Sequence, residues 1–315
     1  VLMTYREKEN LKAPEEVLKE AGFRVSEKCC CRPSCFDYAA RKGEKVIFIK
    51  FQHDIDNFSK TDSEELKVIS KFVSAASVLV SEKTREKPLE DDTVYSRYSI
   101  FAVTPKTFEN IVLRNIHPLI QAGPGGYYVE IDWEAVKKRR QELGLSVGEM
   151  AEMVGISRRT LYGYERGLAK ASVTAAYNLI YTLGIPVAKS VNIFEKSKEQ
   201  RKCFLSRAGH AIAKNKLLQR IFRKFSRYNF TAVKKAPFDF VVTVPEEKMR
   251  IIGGVANNNE KELNKRVDEI ISVSKIVRAH PILITEGRKP TNKDISCIYK
   301  EEIQKIKNPE DLIRL

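Results

Sequence analysis

The stretch LSVGEMAEMVGISRRTLYGYERG, residues 145–167, has the composition of two short helices joined by a tight turn. Ser146 and Glu149 have capping-box spacing, in which each side chain bonds the backbone N–H of the other at a helix start. Gly155 interrupts the run, since glycine tolerates the left-handed backbone that ends many helices. Ser157 then caps a second helix. We therefore predict a helix, a glycine turn and a second helix that opens with two adjacent arginines.

The helical pattern extends to both sides of this stretch. Before it, DWEAVKKRRQELG places Trp133, Val136 and Leu143 on one broad face. After it, Ser172 or Thr174 is placed to cap a fourth helix, TAAYNLIYTLG. Residues 132–195 are therefore predicted to form a small all-α domain.

Fifteen positions in these helices together resemble the helix-turn-helix domains of the Cro and lambda-repressor type, over about 60 residues. They are Leu145, Ser146, Glu149, Met150, Ala151, Val154, Gly155, Ile156, Ser157, Leu161, Tyr164, Glu165, Gly167, Leu179 and Leu183. The resemblance implies a lambda repressor-like fold whose second motif helix lies in the major groove of DNA. One departure is Val147, where that family often carries a glutamine that braces a phosphate contact.

The two arginines are the candidates for reading DNA sequence. The resemblance places Arg158 and Arg159 where guanine presents O6 and N7, so both are predicted to contact bases. The alternative is that one or both touch only phosphate. Gly163, one turn further along the same face, has no side chain with which to read a base. Backbone contacts, which fix register without specifying sequence, are expected from Ser146, Ser157, Thr160, Tyr162, Arg166 and Lys170.

The charge of the chain favours a polyanionic partner. Its formal net charge is +15 over 315 residues, and residues 196–227 hold eleven lysines and arginines against Glu199 alone. We expect this basic connector to be helical and to contact DNA backbone beside the recognised site. A dimerisation helix and a helix packed on the next domain are the alternatives. The connector's candidate cations are Arg201, Lys202, Arg207, Lys214, Lys216, Arg220, Arg223 and Lys224.

Residues 1–115 alternate helix and strand signals. Their order, α-β-β-β-α-β-β-α, predicts a mixed sheet flanked by helices. Asp62 and Glu65 have capping-box spacing at the second helix. Thr104 followed by Pro105 has the chemistry of a third helix start.

Residues 228–315 repeat this order. FDYAARKGEKVIFIKF at 36–51 matches FDFVVTVPEEKMRIIGG at 238–254 with one inserted residue, and ISKFVSAASVLVSE matches VSKIVRAHPILITE, so that Glu82 matches Glu286. This similarity predicts a duplicated domain. The fold class is then α/β (α+β) multidomain, with two related mixed-sheet domains flanking a central all-α domain. Two tandem copies could also pair with each other inside one chain.

A glycine-rich segment separates the first α/β domain from the helices. The density of glycine and proline in QAGPGGYYVEID predicts a linker with no continuous regular element. The predicted boundaries are 1–115 for the first domain, 116–131 for the linker, 132–195 for the helical domain, 196–227 for the connector and 228–315 for the second α/β domain.

The first α/β domain resembles the core of restriction-endonuclease-like and Holliday-junction-resolvase-like proteins, because FD on one strand is followed by a strand that ends in lysine. That core needs an aspartate, and an acid two residues before the lysine, to hold Mg²⁺ and orient a water. Asp37 and Lys50 fit, but Phe48 stands in place of the acid. In the second copy Asp239 remains, whereas Gly253 replaces the lysine and Ile251 replaces the acid.

A lone carboxylate is a poor metal site, so both nuclease-like domains are predicted to be inactive. We expect no catalytic residue, no metal and no cofactor, with Asp37 and Lys50 as degenerate candidates. A structural role for Asp37, such as capping a turn, is the simpler interpretation. A metal-dependent nuclease with a further ligand from Glu16 or Glu20 is the alternative.

Four of the six cysteines cluster in CCCRPSC, at Cys29, Cys30, Cys31 and Cys35. Three adjacent thiols do not converge comfortably on one metal, and no second ligand pair follows at zinc-finger spacing. We expect small residues at a strand end, with a zinc or redox role as the alternative.

The sequence has no signal for a membrane protein. No apolar run approaches the roughly 20 residues that span a bilayer, and the N-terminus lacks the apolar core of a signal peptide. We expect a soluble, cytoplasmic, nucleoid-associated protein without a membrane partner.

The arrangement of FDYAAR, IFIKF, DIDNFS, VYSRYSI and GPGGYYVEID ahead of the helix-turn-helix resembles archaeal proteins named as "putative" helix-turn-helix transcriptional regulators. This resemblance covers most of the chain and is weakest beyond residue 200. We expect a sequence-specific transcriptional regulator that binds double-stranded DNA as a homodimer, with the transcription machinery as a further partner. The alternatives are a structure-specific nuclease or junction-binding protein, and an architectural chromatin protein.

Overall fold

The structure is a computed structural model that describes residues 12–195, 216–225, 228–244, 249–257, 260–287, 289–306, 308 and 311–314. These residues form two mixed β-sheets and, between them in the chain, a helical domain. Among the helices of this described part, none has both the length and the apolar composition to cross a lipid bilayer.

The first sheet and its helices are built by residues 14–114. The strands are β1 (Arg24–Val25), β2 (Tyr38–Lys42), β3 (Lys45–Phe51), β4 (Ala76–Val80), β5 (Thr93–Arg97) and β6 (Ile100–Val103), and the helices are α1 (Pro14–Glu20), α2 (Lys60–Val73) and α3 (Pro105–Arg114). Strands β2 and β3 are antiparallel, whereas β3, β4 and β6 run parallel. The predicted mixed sheet is confirmed, with one strand more than expected because β5 and β6 form a hairpin.

The helix starts in this domain follow local capping chemistry. Thr104 caps α3 as predicted, and its side chain accepts a hydrogen bond from the Thr107 N–H. Helix α2 begins earlier than expected, because Ser59 is the cap and Asp62 completes the capping box. The predicted pairing of Asp62 with Glu65 is therefore wrong, and the Glu65 carboxylate has a different partner, described below.

The segment predicted to be an irregular linker is a β-hairpin of β7 (Ile120–Gly123) and β8 (Gly126–Ile131). The turn falls at Pro124 and Gly125, so the glycine and proline of GPGG occupy the two-residue turn and its flanks. Strand β7 also pairs with β5 of the first domain. The first sheet therefore continues without a break into the helical domain.

The helical domain contains α4 (Trp133–Glu142), α5 (Val147–Val154), α6 (Arg158–Glu165), α7 (Val173–Leu183) and two short strands, β9 (Ala171–Ser172) and β10 (Ala188–Lys189). Ser146 and Ser157 cap α5 and α6 as predicted, Gly155 has φ +76°, and Ser172 rather than Thr174 caps α7. The hairpin belongs to this domain, because Val129 and Ile131 lie in its core.

The second sheet contains β11 (Asn229–Ala232), β12 (Phe240–Val244), β13 (Met249–Ala256), β14 (His280–Thr285) and β15 (Ser296–Tyr299), with helices α8 (Lys216–Phe225), α9 (Leu263–Val277) and α10 (Asp311–Arg314). Its strands repeat the neighbours and directions of β1, β2, β3, β4 and β6. Ile251 lies opposite His280 as Ile47 lies opposite Ala76, with both residue numbers 204 higher. The predicted duplication is therefore confirmed in the strand pairing.

The two copies pack against each other around the residues that precede β2 and β12. Phe36 and its counterpart Phe238 are fully buried, with ring centroids 6.4 Å apart. One hydrophobic core holds both, together with Val73 and Val277 near the ends of the equivalent helices. Because equivalent residues of the two copies share one core, the duplicated domains form a pair inside a single chain.

The contacts across this pair are reciprocal. The Glu65 carboxylate on α2 accepts hydrogen bonds from the backbone N–H groups of Lys234 and Lys235, both at 2.8 Å. Glu269, the matching residue on α9, accepts from the N–H groups of Cys30 and Cys31, both at 2.9 Å. Each copy thus uses one helix carboxylate to hold the loop of the other, in the manner of an approximate two-fold axis.

This reciprocity predicts that Glu269→Ala destabilises the paired domains by about 2–3 kcal/mol, because two backbone N–H donors lose a charged acceptor that is itself buried. Glu65→Ala should act in the same direction but less strongly, since Glu65 is more exposed. The exposed Glu86→Ala serves as the control and is expected to change stability by less than about 0.5 kcal/mol. Urea unfolding measures all three, and equal behaviour of Glu269→Ala and Glu86→Ala would contradict the assignment.

Candidate nucleic-acid interface

Helix α6 presents its first turn to solvent. Arg158 and Arg159 are both exposed, as a DNA-reading role requires. The two differ in their surroundings, because the Arg158 guanidinium lies against Gly148 at the start of α5. A Cβ added at Gly148 would lie 2.9 Å from Arg158 Nε. Arg158 therefore lies across the two helices of the motif. Sequence pattern alone does not distinguish the two arginines.

The predicted backbone-contacting residues surround this turn. Ser157 and Thr160 exchange a hydroxyl hydrogen bond at 2.8 Å, and Ser157 also caps the helix. The Arg166 guanidinium lies 5.2 Å from the Tyr162 ring and bonds the Tyr162 hydroxyl at 3.2 Å. These polar groups stay on the exposed side of α6, where they are available to phosphate.

Two other predicted residues flank α6. Ser146 is already engaged at the start of α5, where its hydroxyl accepts from the Glu149 N–H. The hydrogen bonds from Ser146 to the Glu149 carboxylate lower the pKa of Glu149. The Lys170 ammonium donates to the Gln121 side-chain oxygen of β7. Lys170 thus ties the loop after α6 to the β7–β8 hairpin.

A glycine sits in the middle of the exposed helix α6. Gly163 has no positive φ, and a Cβ added there would meet nothing within 4 Å among the described residues. Neither backbone conformation nor packing requires glycine at this position, although glycine weakens a helix interior. Its absent side chain instead leaves room for another molecule to approach the helix closely.

A buried ion pair fixes the orientation of α6. Arg140 on α4 makes two hydrogen bonds to the Glu165 carboxylate, of 2.5 and 3.0 Å, and a third to the Leu145 carbonyl at 2.8 Å. The bond to Glu165 raises the pKa of Arg140. This role of Arg140 was not predicted, and Leu143, which is predicted to lie on the inner face, is 42% exposed. Arg140 follows the buried Val136 by four residues and so lies on the same helix face, and this spacing could have predicted that Arg140 is buried.

The last part of the basic connector is helix α8. Its apolar side, Leu217, Leu218, Ile221 and Phe225, is buried against the second sheet. Its exposed side carries Lys216, Arg220 and Arg223. The alternative of a helix packed on the next domain therefore accounts for the apolar stripe, and the cations remain at the surface. Arg201, Lys202, Arg207, Lys214 and the side chain of Lys224 lie outside the described residues.

The nuclease-like position of the first domain is filled by an ion pair. Lys50 Nζ donates to Asp37 Oδ1 at 2.9 Å and to the Ser34 carbonyl at 3.0 Å. Asp37 Oδ2 accepts from the Phe51 N–H at 2.7 Å. Both carboxylate oxygens thus have donors, and the buried Phe48 stands where a second acid would lie. These residues do not fit a Mg²⁺ site, which needs several oxygen ligands.

The two other acids considered as metal ligands are engaged elsewhere. Glu16 accepts from the Ala13 N–H at the start of α1, and Glu20 pairs with Lys12. Across the described residues, no group of three or more His, Cys, Asp or Glu side chains is placed to hold a metal ion.

The second copy replaces the lysine by arginines. The Asp239 N–H donates to the Gly253 carbonyl, as the Asp37 N–H donates to the Ile49 carbonyl, so Gly253 is the counterpart of Ile49. Gly254 rather than Gly253 therefore takes the place of Lys50. The acid position is likewise taken by Ile252 rather than Ile251. The predicted match of the two copies, with one inserted residue, is therefore wrong, because the second copy has two inserted residues before this position. Arg266 of α9, 1% exposed, and Arg32 of the first domain both bond the Asp239 carboxylate. The second site is therefore closed by a residue of each copy.

The cysteine cluster belongs to the seam between the copies. Cys29 and Cys35 are buried in the shared core, and burial raises the pKa of both thiols well above the usual value. Burial and the Glu269 carboxylate raise the pKa of Cys31 to about 12. Cys29 and Cys35 are thus packed as core residues, whereas Cys31 is partly exposed beside Glu269.

Comparison with known proteins first gives the class. A model of a PD-(D/E)XK superfamily domain matches residues 7–118, and a helix-turn-helix model matches residues 136–189. The chain is thus a helix-turn-helix protein with an N-terminal nuclease-like domain.

The relatives then give the family. Proteins named "Putative HTH-type transcriptional regulatory protein" are similar over nearly their whole length. That of Methanococcus vannielii is 34% identical, covering 94% of this chain and 93% of its own. That of Methanococcoides burtonii is 31% identical, covering 94% and 92%. The chain belongs to this archaeal family. A solved "SINR PROTEIN/SINI PROTEIN COMPLEX" is 20% identical with a TM-score of 0.17, covering 31% of this chain and 95% of that one.

Substitution of two glycines, Gly163 in α6 and Gly253 in β13, tests whether the space beside each one is open or filled. Gly163→Ala should raise stability by about 0.5–1 kcal/mol, because the added methyl group enters open space and favours the helix. Gly253→Ala is the matched opposite and should cost about 1–3 kcal/mol, since its methyl group would overlap the Phe240 ring. Chemical unfolding of both variants measures the difference. A loss of stability in Gly163→Ala would show that its surroundings are filled.

Proposed function

We propose that this protein is a sequence-specific transcriptional regulator that binds double-stranded DNA through a Cro-type helix-turn-helix. The observation that carries the proposal is the first turn of α6, where Arg158 and Arg159 are exposed side by side while Leu161 and Tyr164 are buried. In a helix lying in the major groove, these arginines meet base edges. The family's name supports the regulatory role.

The surroundings of α6 support a close approach of DNA. Gly163 leaves the middle of the helix without a side chain, and the Arg140–Glu165 pair holds the helix in one orientation. Ser157, Thr160, Tyr162, Arg166 and Lys170 then contact phosphates around the helix, and the exposed cations of α8 extend the positive surface. A nucleoid location follows from this binding.

A homodimer would give two half-sites separated by about one helical turn of DNA. The two nuclease-like domains already pair within one chain, so the contact between chains needs another surface. Helix α7 carries no charged residue and exposes Tyr177 and Tyr181, at 68% and 83%. An uncharged, exposed face is compatible with self-association around a two-fold axis. Contact with the transcription machinery is a further part of the proposal.

The test is selection of bound duplexes from a random pool at fixed salt, with the wild type and with Arg158→Ala plus Arg159→Ala. The wild type should yield a motif, two-fold if the dimer forms, that contains guanines. The double variant should lose the motif but keep weak binding, because each well-made arginine contact discriminates by about 1–3 kcal/mol. Binding with no motif would support the architectural alternative and contradict the proposal.

A structure-specific nuclease or junction-binding protein is the second candidate, because the PD-(D/E)XK model matches the first domain. We propose that the Asp37–Lys50 pair is structural instead, since both carboxylate oxygens accept internal hydrogen bonds. Neither duplex nor junction DNA should then be nicked with Mg²⁺ or Mn²⁺, and Asp37→Ala should lower stability while the selected motif stays the same. Metal-dependent nicking that disappears in Asp37→Ala would establish the nuclease.

A further inference from the structure

The β7–β8 hairpin has an exposed tip. Gly123 lies opposite Gly126, so Pro124 and Gly125 form a two-residue turn in which Gly125 has φ +84°. Residues 123–126 are all exposed. The tip therefore presents bare backbone and one proline ring to its surroundings.

The hairpin runs beside the loop that leaves the candidate recognition helix. Strand β9 follows this loop and pairs with β8, with Ser172 opposite Tyr128. Lys170, a candidate phosphate contact, bonds Gln121 on β7. The hairpin is thus continuous with the surface proposed to face DNA.

The hairpin is held firmly on both sides. Val129 and Ile131 of β8 are buried in the core of the helical domain, and Ile120 of β7 lies opposite Thr93 of the first sheet. At the tip, the Tyr128 hydroxyl donates to the Pro124 carbonyl at 2.9 Å. A preorganised tip loses little conformational entropy when it contacts a partner.

The tip of the hairpin is uncharged and lies near a cation of the neighbouring loop. Residues 120–128, IQAGPGGYY, contain neither an acid nor a cation, and the one charged residue of β7 and β8 is Glu130, near the far end of β8. The cation bonded to the hairpin is Lys170, through Gln121. Among the residues that line the groove beside the tip, Glu90 is the one acid. Glycines at the tip also have no side chains to keep a phosphodiester backbone at a distance.

We propose that the β7–β8 hairpin is a wing that contacts the phosphodiester backbone of duplex DNA beside the site occupied by α6. The inference rests on the proposed DNA binding of the helix-turn-helix. It adds a second point of contact, at a distance from α6 fixed by the β8–β9 pairing. Because the wing touches backbone, its contribution is independent of base sequence.

The test changes the charge at the tip of the full-length protein. Pro124→Lys and Pro124→Glu are compared with Pro186→Lys and Pro186→Glu, since Pro186 is also exposed and lies near β10, at the opposite end of β8. The probe is a random-sequence 30-base-pair duplex, so that binding does not require a known motif. Thermal unfolding of the four variants checks that each remains folded.

Pro124→Lys should tighten binding about two- to fivefold and increase the salt dependence by about one phosphate contact, whereas Pro124→Glu should weaken binding by a similar factor. The Pro186 variants should differ from each other by much less. Equal effects at the two prolines overturn the wing and leave the proposed function to the selection experiment. A Pro124 effect without any selected motif supports the wing and contradicts sequence-specific regulation. Failure of every form to bind the duplex at low salt overturns both.

Discussion

The architecture depends on the pairing of two copies of one domain inside a single chain. Phe36 and Phe238 meet in a common core, and Glu65 and Glu269 each hold a loop of the opposite copy through two backbone N–H groups. A buried carboxylate that accepts two N–H groups is stable only while its partner loop is in place, because an unpaired buried charge is costly. Each copy therefore depends on the other for a complete core and for satisfied polar groups.

This pairing also contributes a side chain to one of the two nuclease-like sites. Arg32 of the first copy bonds the Asp239 carboxylate of the second copy, beside the buried Arg266. In the first copy, Lys50 bonds the Asp37 carboxylate. In both copies a cation thus bonds the carboxylate. Each carboxylate also accepts a hydrogen bond from a backbone N–H of the neighbouring strand, at Phe51 and Val255, and anchors that strand.

The helix-turn-helix is attached to this pair by a sheet rather than by a flexible linker. Strand β7 pairs with β5 of the first domain, and β8 carries Val129 and Ile131 into the helical core. A rigid connection sets the orientation of α6 relative to the body of the protein. The nuclease-like domain thus positions the helical domain through hydrogen-bonded strands.

The sequence by itself determined the local features. The caps at Ser146 and Ser157, the turn at Gly155 and the duplicated order of strands follow from short-range chemistry and periodicity, and the structure confirms them. Tertiary structure decided the rest. The GPGG segment became a hairpin because neighbouring strands supplied hydrogen-bond partners, the lysine position moved to Gly254 because strand register is a long-range property, and Arg140 was buried because Glu165 neutralises it. The partners lie far apart in the chain, where periodicity carries no information.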